Sequence, residues 1–311
     1  GGPPCQAYSV AGRVRDENGM RDDYRNYLFE HYLNVVNRYK PLVFIFENVP
    51  GMLSAMPDGT PITDLIEKGF ESIGYEIIND LKKYAKIDAS EYGVPQNRER
   101  LIIMGIRKDA YSNPQALLKD FYVNILPSYK VERKMTVEEA IGDLPALYPI
   151  INENSSPRRI GYTKAGCDVS WHRARHHSLR DVEIYGMLAE DIASGRNEYI
   201  DSKSLSNLYE ERVGAKSPIH RYHVLRKDEP STTIISHLDR DGNRFIHYDP
   251  KQCRDITPRE AARIQSFDDD FEFIGNQTDT YIMIGNAVPP VLAKCVANAV
   301  SVVLDRLTGA L

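Results

Sequence analysis

Blocks of helical spacing alternate with short apolar runs through the first third of the chain. Residues 20–39 place apolar side chains at mostly helical spacing, and Pro41 ends that pattern. Residues 62–73 repeat the helical spacing. Runs typical of strands occur at LVFIF (42–46), YEIIND (75–80) and LIIMGI (101–106). The alternation predicts an α/β sheet that is covered by helices on both faces.

After Pro127 the regular pattern gives way to a polar stretch. A short helix is predicted in TVEEAIGDL (136–144), and residues 150–235 are polar, basic and poor in continuous apolar runs. We interpret this stretch as a second, smaller and irregular domain. The predicted division is 1–145 for a first domain, 146–250 for the irregular domain, and 251–311 for a return to the first.

Regular helical spacing returns near the end of the chain. In TPREAARIQSF (257–267), Thr257 suits the N-cap position and Glu260 follows three residues later, which predicts a capped helix. Residues 289–307 carry a continuous apolar stripe, as in an amphipathic helix. Cys295 lies on that stripe, so we expect its thiol to pack in the core.

Charge is distributed unevenly along the chain. The net charge is −5, but residues 158–180 contain six basic residues and one acid. A basic segment on an acidic protein can hold a polyanion, although a solvated loop has the same composition. Both interpretations are open at this point.

Composition also bears on the compartment. We find no run of about 18 apolar residues, as a membrane span would need, and no charged-then-apolar leader. The cysteines show no short-spaced pairs, so a disulfide framework is not indicated. They are Cys5, Cys167, Cys253 and Cys295. We therefore predict a reducing, cytoplasmic setting with no membrane partner.

Four short stretches combine reactive residues, or turn-forming Gly and Pro, with the boundary of a predicted element. Singly each signal is weak, because a Pro-Cys pair is usually structural and a glutamate after a strand is usually a cap. In an open α/β sheet, ligand sites form beyond the carboxyl ends of the strands. The stretches are GGPPCQ (1–6), FENVPG (46–51), YGVPQNRERL (92–101) and IGNAVPP (284–290).

In this order the stretches resemble the motifs of the DNA (cytosine-5) methyltransferase family. PPCQ matches the family's catalytic loop, ENV its glutamate motif and QNRER its two-arginine motif. TPREAARIQSF and YIMIGNAVPP match the ninth and tenth motifs, and DEPSTTI (228–234) resembles the passage out of the target-recognition domain. The resemblance covers the fourth to tenth motifs and nearly the whole chain. It implies a partial doubly wound, Rossmann-like sheet, with a target-recognition domain in the irregular region.

The resemblance implies a covalent mechanism on cytosine. Cys5 would add to carbon 6 of the ring, which enables carbon 5 to attack a methyl donor. Glu47 would face ring nitrogen 3 and the exocyclic amine. Arg100, with Arg98 close by, would hold the base oxygen and the adjacent backbone. Asn48 is expected only to shape its loop.

The methyl donor implied by the family is S-adenosylmethionine. The matching positions are Pro4, Leu28, Asn286 and Ala287. Leu28 could equally be a core leucine of its helix, and Asn286 could be merely the cap of the last helix. The two interpretations are compatible at each position.

The partner implied by the family is double-stranded DNA, from which the target cytosine must be flipped. Small and basic residues after Cys5, with Arg13 and Arg15, suit a lid that closes on DNA, the alternative being an ordinary surface loop. The expected setting is bacterial, with methylation of the restriction-modification kind acting at the nucleoid. In the recognition domain we expect DNA contacts from Arg158, Arg159, Arg173 and Arg175.

Three other interpretations were weighed against this one. Cys167, His172 and His176 approach the spacing of metal ligands, but no second cysteine pair lies nearby, and no metal is predicted. Methylation of tRNA is disfavoured, because neither Cys167 nor Cys253 is followed by the Phe-Thr of the tRNA-modifying relatives. The third is a catalytically silent DNA-binding module.

The family's donor site begins with a strand that ends in a Phe-x-Gly-x-Gly turn. No such turn occurs in these 311 residues. We therefore expect a fragment of a longer product, one subunit whose partner chain supplies the donor-binding half, or a decayed copy. In each case we expect this chain alone to be inactive or nearly so.

Overall fold

The computed structural model describes residues 1–3, 28–56, 59–166, 168–216 and 222–309. The chain divides into two compact units. The first unit comprises Gly1–Tyr92, Glu99–Glu132 and Ala293–Leu311, and the second comprises Gly93–Arg98 and Arg133–Leu292. The QNRER stretch is therefore shared, its first half belonging to the second unit. The ranges 1–145, 146–250 and 251–311 assign functions, and those assignments stay predictions.

The first unit is built on one four-stranded sheet. Its elements are α1 (Phe29–Tyr39), β1 (Val43–Asn48), α2 (Ile62–Ser72), β2 (Tyr75–Ile77), α3 (Leu81–Tyr84), β3 (Lys86–Asp88), β4 (Glu99–Arg107) and α4 (Pro114–Asp120). The strand order is β1-β4-β2, β3 also pairs with β4, and all three pairings are antiparallel. Because β1 and β2 both run opposite to β4, they run parallel to each other, with α2 in the connection between them.

The predicted strand–helix–strand order is confirmed for this unit. The sequence did not predict that β4 lies between β1 and β2 and runs against both. A central strand buried on both faces carries a continuous apolar run whatever its direction, so LIIMGI could not disclose its pairing. The sheet is of the α/β kind, and its described pairings are antiparallel.

Aromatic side chains form the core on one face of this sheet. The rings of Phe44 and Phe70 stack with their centroids 4.1 Å apart, and Tyr32 packs edge-on against Phe46 at 5.3 Å. Gly105 lies opposite Phe44 in the sheet, and a side chain there would overlap the Phe44 ring. The glycine of LIIMGI is therefore required by the packing of that ring.

The second unit combines short helices with a two-stranded sheet. Its elements are α5 (Val137–Ile141), β5 (Pro149–Ile150), β6 (Gly161–Tyr162), α6 (Leu179–Ala193), α7 (Ser202–Val213), α8 (Pro258–Ile264) and α9 (Gln277–Asn286). One hydrophobic cluster joins α5, α8 and α9, and another joins α6 and α7. The last helix, α10 (Pro290–Thr308), begins in this unit and continues in the first.

The prediction of an irregular region is wrong over α6 and α7. The Ser178 hydroxyl caps α6 by accepting from the Asp181 N–H, and Asp201 caps α7 in the same way. Helix α6 buries Ile184 and Leu188 on one face. Charged residues interrupt the apolar spacing of both helices, which is why their periodicity is weak in the sequence.

The predicted caps and the last helix are confirmed. Thr257 and Glu260 form the reciprocal capping box of α8. Helix α10 occupies the predicted C-terminal segment, and Cys295 is half-buried on it. Burial raises the pKa of the Cys295 thiol, as expected of a packed structural cysteine.

One stretch of the described chain, Gln277–Thr308, is long and apolar enough by length and composition to cross a membrane, and an 18-residue window within it has a mean hydropathy of 1.7. Our search for uninterrupted apolar runs missed it. In the structure it consists of α9 and α10, and Tyr281 and Ile284 of α9 lie in a hydrophobic cluster of the second unit. Core helices pass the same test, so the absence of a membrane partner stays a prediction.

Candidate active site

Glu47 and Arg100 form an ion pair across two adjacent strands of the first unit. Glu47 lies near the end of β1 and Arg100 near the start of β4, and the register places Glu47 opposite Ile102. Arg100 therefore reaches Glu47 diagonally. Arg100 Nε lies 3.1 Å from Glu47 Oε1, and the two side chains are only 13% and 22% exposed. The structure thus brings together two of the predicted catalytic side chains.

Residues 1–3 run beside Glu47. The Glu47 N–H donates to the carbonyl of Gly1 at 2.8 Å. A Cβ on Gly2 would lie 2.8 Å from Glu47 Oε2 and 2.9 Å from the Glu47 carbonyl oxygen. A side chain at position 2 would displace the Glu47 carboxylate, so this close approach requires the second glycine of GGPPCQ.

Asn48 holds the chain just before the predicted nucleophile. Its Nδ2 donates to the carbonyl of Pro3 at 3.2 Å, and its Oδ1 accepts from the Val49 N–H at 2.9 Å. Asn48 is 1% exposed, so these bonds satisfy a buried amide. Pro4 and Cys5 follow directly in the sequence but lie outside the described residues. Sequence reasoning gave Asn48 a loop-shaping role and missed its direct hold on the PPCQ segment.

Arg98 has contacts of a different kind from those of Arg100. Its guanidinium is 1% exposed and donates to the carbonyls of Ile234 at 2.8 Å, Gly285 at 2.9 Å and Ala287 at 3.0 Å. Arg98 and these three carbonyls all belong to the second unit. The contacts favour a positioning role, which differs from the base contact that the sequence predicts for Arg98.

Two buried glutamines belong to the same set of hydrogen bonds as Arg98, and neither was predicted from the sequence. Gln96 Nε2 donates to Gln265 Oε1, and Gln265 Nε2 donates to the Ala287 carbonyl at 2.7 Å. Both glutamines are fully buried. A signal was present for Gln265, because it lies four residues after Ala261, and helical spacing puts it on the same face as that buried residue, where a polar side chain needs buried partners.

The predicted donor contacts fall in both units. Leu28, in the first unit, is half-buried and occupies the N-cap of α1. In the second unit, Asn286 is exposed at the end of α9 and Ala287 is half-buried directly after it. Asn286 does not cap the last helix, because α10 begins only at Pro290. That alternative is therefore wrong.

Three of the arginines predicted to bind DNA are exposed. Arg158 and Arg159 lie in the loop between β5 and β6. Arg173 is exposed as well, and its guanidinium lies over the Trp171 ring, 4.7 Å from the centroid. Stacking holds this cation at the surface while leaving its N–H groups directed outward for an anion.

Arg175 is placed differently. It forms an ion pair with the buried Asp255, to which His177 Nε2 also lies 2.9 Å from Oδ1. A guanidinium committed to a buried carboxylate is poorly suited to a phosphate, so this placement does not support the predicted DNA contact. Arg13 and Arg15, predicted in the lid, lie outside the described residues.

Of the two histidines considered as metal ligands, His172 has protein partners. His172 is buried, with Nδ1 3.2 Å from Thr257 Oγ1 and Nε2 2.8 Å from the Pro145 carbonyl. His176 has its pKa lowered by burial and by neighbouring positive charge. Cys167 lies outside the described residues. Within the described ranges, no three His, Cys, Asp or Glu side chains gather as a metal site would require.

Comparison of the sequence with known proteins finds a matching family and similar methyltransferases. A family model described as C-5 cytosine-specific DNA methylase matches residues 1–301. Type II methyltransferase M.Bpa9945I of Bacillus paralicheniformis is 34% identical, over 98% of this chain and 70% of that protein. Type II methyltransferase M.DdeI of Desulfomicrobium norvegicum is 31% identical, over 97% of this chain and 71% of that protein.

Solved structures agree at the level of the fold. A prophage-encoded protein of E. coli, solved as a candidate DNA modification methyltransferase, is 25% identical with a TM-score of 0.55, over 98% of this chain and 78% of that one. The Entamoeba histolytica methyltransferase EhMeth gives a TM-score of 0.51 at 14% identity, over 100% and 76% of the two chains. The second likeness concerns the fold alone.

Proposed function

Because the chain belongs to the C-5 cytosine-specific DNA methylase family, we propose that Cys5, Glu47 and Arg100 carry out methyl transfer to carbon 5 of cytosine in DNA. The observation that carries this assignment is the Glu47–Arg100 pair at 3.1 Å, with residues 1–3 lying beside it. Cys5 follows Pro3 by two residues in the sequence, and the Pro3 carbonyl accepts a hydrogen bond from Asn48. The acid and the cation thus lie together on adjacent strands, and Cys5, which lies outside the described residues, is the proposed nucleophile beside them.

Cys5 acts as the nucleophile. Its thiolate adds to carbon 6 of the cytosine and forms a carbon–sulfur bond, and the displaced π electrons make carbon 5 nucleophilic. A free thiol has a pKa near 8.5, so the thiolate is a minor species at neutral pH and its environment matters. Asn48 holds the Pro3 carbonyl, two residues before Cys5, and we expect this bond to anchor the segment that leads to the nucleophile.

Glu47 and Arg100 manage the charge that develops on the base. A protonated Glu47 donates to ring nitrogen 3 as the thiolate adds, which makes the ring a better electron acceptor. Arg100 binds the base oxygen by charge-assisted hydrogen bonds and, in the free protein, keeps the Glu47 carboxylate in place. Both side chains are largely shielded from water, which strengthens these interactions.

S-adenosylmethionine, when bound, supplies an electrophilic methyl group for carbon 5. Asn286 and Ala287 of the second unit would hold it there, whereas Leu28 of the first unit and Pro4, outside the described ranges, stay predicted contacts. The first two fit such a ligand, because Asn286 presents an exposed amide on a turn whose backbone carbonyls are already bonded. Loss of the carbon-5 proton and release of the Cys5 thiolate then restore the aromatic ring.

DNA is held by the exposed cations of the second unit. Arg158, Arg159 and Arg173 present guanidinium groups that suit phosphates or the edges of guanines. Arg175 has a structural role in this region through its ion pair with the buried Asp255. Arg13 and Arg15 remain predicted lid residues. The target sequence follows from side chains in this region, and the cytoplasmic, nucleoid-directed setting stays a prediction.

The doubly wound character of the sheet is part of the proposal. The parallel relation of β1 and β2 through the α2 connection supports a Rossmann-like sheet of which the described strands form one part. A second chain that carries the glycine turn of the donor site is the partner predicted from the sequence. We therefore retain a partner polypeptide as a predicted requirement for full activity.

Methyl transfer from labelled S-adenosylmethionine to double-stranded DNA tests the function. The reaction is run with and without a polypeptide that carries the Phe-x-Gly-x-Gly strand, and the product nucleoside is identified by mass spectrometry. We expect 5-methylcytosine, its loss in Cys5→Ser, and its persistence in Cys253→Ser, a thiol that donates instead to the Pro250 carbonyl. Label in RNA alone, DNA binding without label, or activity in Cys5→Ser would contradict the proposal.

A further inference from the structure

The backbone around Asn286 is held by a buried side chain. Gln265 Nε2 donates to the carbonyl of Ile284 at 3.0 Å and to that of Ala287 at 2.7 Å. These two residues flank Asn286, whose own side chain is exposed. We call residues 284–287 the donor turn. One buried amide therefore bonds the backbone on both sides of the exposed amide.

The donor turn is held from a second direction by Arg98. The guanidinium donates to the carbonyl of Gly285 at 2.9 Å and to that of Ala287 at 3.0 Å. A Cβ on Gly285 would overlap the backbone of Ile235 and Ser236, so the turn lies directly against that segment. The turn is thus fixed by side chains and by a backbone approach that only glycine permits.

Gln96 sets the orientation of Gln265. Gln96 Nε2 donates to Gln265 Oε1 and to the Ile264 carbonyl, the latter at 2.9 Å, while Gln96 Oε1 accepts from the Ile234 N–H at 3.1 Å. With its oxygen facing Gln96, Gln265 must present its NH₂ group to the donor turn. Both glutamines are fully buried, so a flipped amide would leave unpaired polar atoms.

The residue after Gln265 anchors the chain beyond the turn. Ser266 Oγ accepts from the N–H of Val291, in the first turn of α10, at 3.2 Å. The C-terminal end of α8 therefore holds both the donor turn and the start of α10. Three sequence motifs, QNRER, TPREAARIQSF and IGNAVPP, meet in one set of contacts within the second unit.

We propose that Gln265, Gln96 and Arg98 are positioning residues for the methyl donor. They hold the donor turn in the conformation that binds S-adenosylmethionine, without contacting the donor themselves. This inference rests on the proposed function, in which Asn286 and Ala287 contact the donor. A turn that is ordered before binding loses less conformational entropy on binding. The hydrogen bonds from these three side chains therefore raise the affinity of the protein for the donor. They do not bear on affinity for DNA.

Calorimetric binding of S-adenosylhomocysteine to the full chain, with its partner polypeptide where one is required, tests the proposal. For Gln265→Met we expect affinity to fall about tenfold, affinity for DNA to stay unchanged, and amide exchange over residues 283–289 to accelerate. The matched control is Gln252→Met. Gln252 is also buried and accepts from the Leu147 N–H and the Arg254 guanidinium, away from the donor turn. This control should lose stability but keep donor affinity.

A milder variant separates positioning from folding. Gln265→Glu keeps the shape and the bond from Gln96, but its ionised form cannot donate to the donor turn. We expect its donor affinity to fall with rising pH more steeply than that of the wild type. Equal affinities in wild type and Gln265→Met, or an equal loss in Gln252→Met, would overturn the positioning role. A wild type that fails to bind the donor would instead overturn the donor assignment, and the proposal with it.

Discussion

Two arginines separated by one residue have unlike partners. Arg100 pairs with the Glu47 carboxylate in the first unit, whereas Arg98 donates to three backbone carbonyls in the second. A guanidinium beside a partly exposed carboxylate can exchange that carboxylate for a substrate oxygen. A guanidinium that donates to several backbone carbonyls cannot bind a substrate unless it gives up the hydrogen bonds that hold this backbone. We therefore propose that Arg100 contacts the base and that Arg98 positions the backbone to which it donates.

After Cys5, Glu47 is the side chain whose replacement we expect to lower the rate of methylation most. Glu47→Gln keeps the size but cannot transfer a proton to ring nitrogen 3, and it loses the ion pair with Arg100. We expect the single-turnover methylation rate of the active preparation to fall about 10²- to 10⁴-fold. The control is Glu99→Gln, which removes an equal charge from β4, where Glu99 pairs with Lys86 at 2.7 Å. Equal losses in the two variants would contradict the role of Glu47.

Elements with local signals were predictable, and elements without them were not. Helix α8 was predicted because Thr257 and Glu260 satisfy each other within four residues, a device visible in sequence. Helix α9 was missed, since its capping box uses Asn276 and Asp279 in place of Ser or Thr and Glu. The sheet order was beyond local reasoning, because β4 is inserted between strands that precede it in the chain.

The N-terminus of α8 sits in a buried charged cluster. Both carboxylate oxygens of Glu260 accept from Arg254 at 2.7 Å, and His247 Nε2 lies 3.6 Å from Glu260. Burial by itself would raise the pKa of Glu260, but Arg254 outweighs it and lowers that pKa to about 2. Burial, together with the charge of Arg254, lowers the pKa of His247 to about 4. His247 is therefore neutral when folded, consistent with its Nδ1 accepting from the Asp249 N–H.

This cluster predicts how stability changes with pH. Between pH 6.5 and about 4, the unfolded state takes up a proton on His247 that the folded state refuses, so the free energy of unfolding falls as pH falls. The expected slope from this one group approaches about 1.4 kcal/mol per pH unit. Urea denaturation across this range measures it.

Replacement of the histidine supplies the control for that slope. His247→Asn cannot titrate, so its slope between pH 6.5 and about 4 should be shallower than that of the wild type. His31, exposed on α1, provides the comparison, and His31→Asn should retain the wild-type slope. An unchanged slope in His247→Asn would show that other groups govern the acid sensitivity. Below about pH 4.5, protonation of Glu260 adds a further loss of stability.

Across the whole molecule, the order of the motifs could be predicted from the sequence. The unit to which each residue of a motif belongs, and the groups that it contacts, could not. QNRER is one run of residues, yet Gln96 and Arg98 belong to the second unit and Arg100 to the first. Glu47 and Arg100 are 53 positions apart in the chain, and Gln96 and Gln265 are 169 apart. Such pairings follow from the sheet and the helix ends, which no spacing rule specifies. This is why the sequence predicts ligand contacts for Arg98 and Arg175, whereas the partners described for both are groups of the protein itself.

The central claim is that this chain carries the base-handling residues of a cytosine methyltransferase, with Cys5 as its proposed nucleophile. The most direct measurement is covalent capture by double-stranded DNA containing 5-azacytosine, which accepts a thiolate at carbon 6 without requiring methyl transfer. We predict a denaturant-resistant protein–DNA adduct that maps to the Cys5 peptide, is absent in Cys5→Ser and persists in Cys253→Ser. No adduct, or an adduct that survives in Cys5→Ser, would contradict the claim.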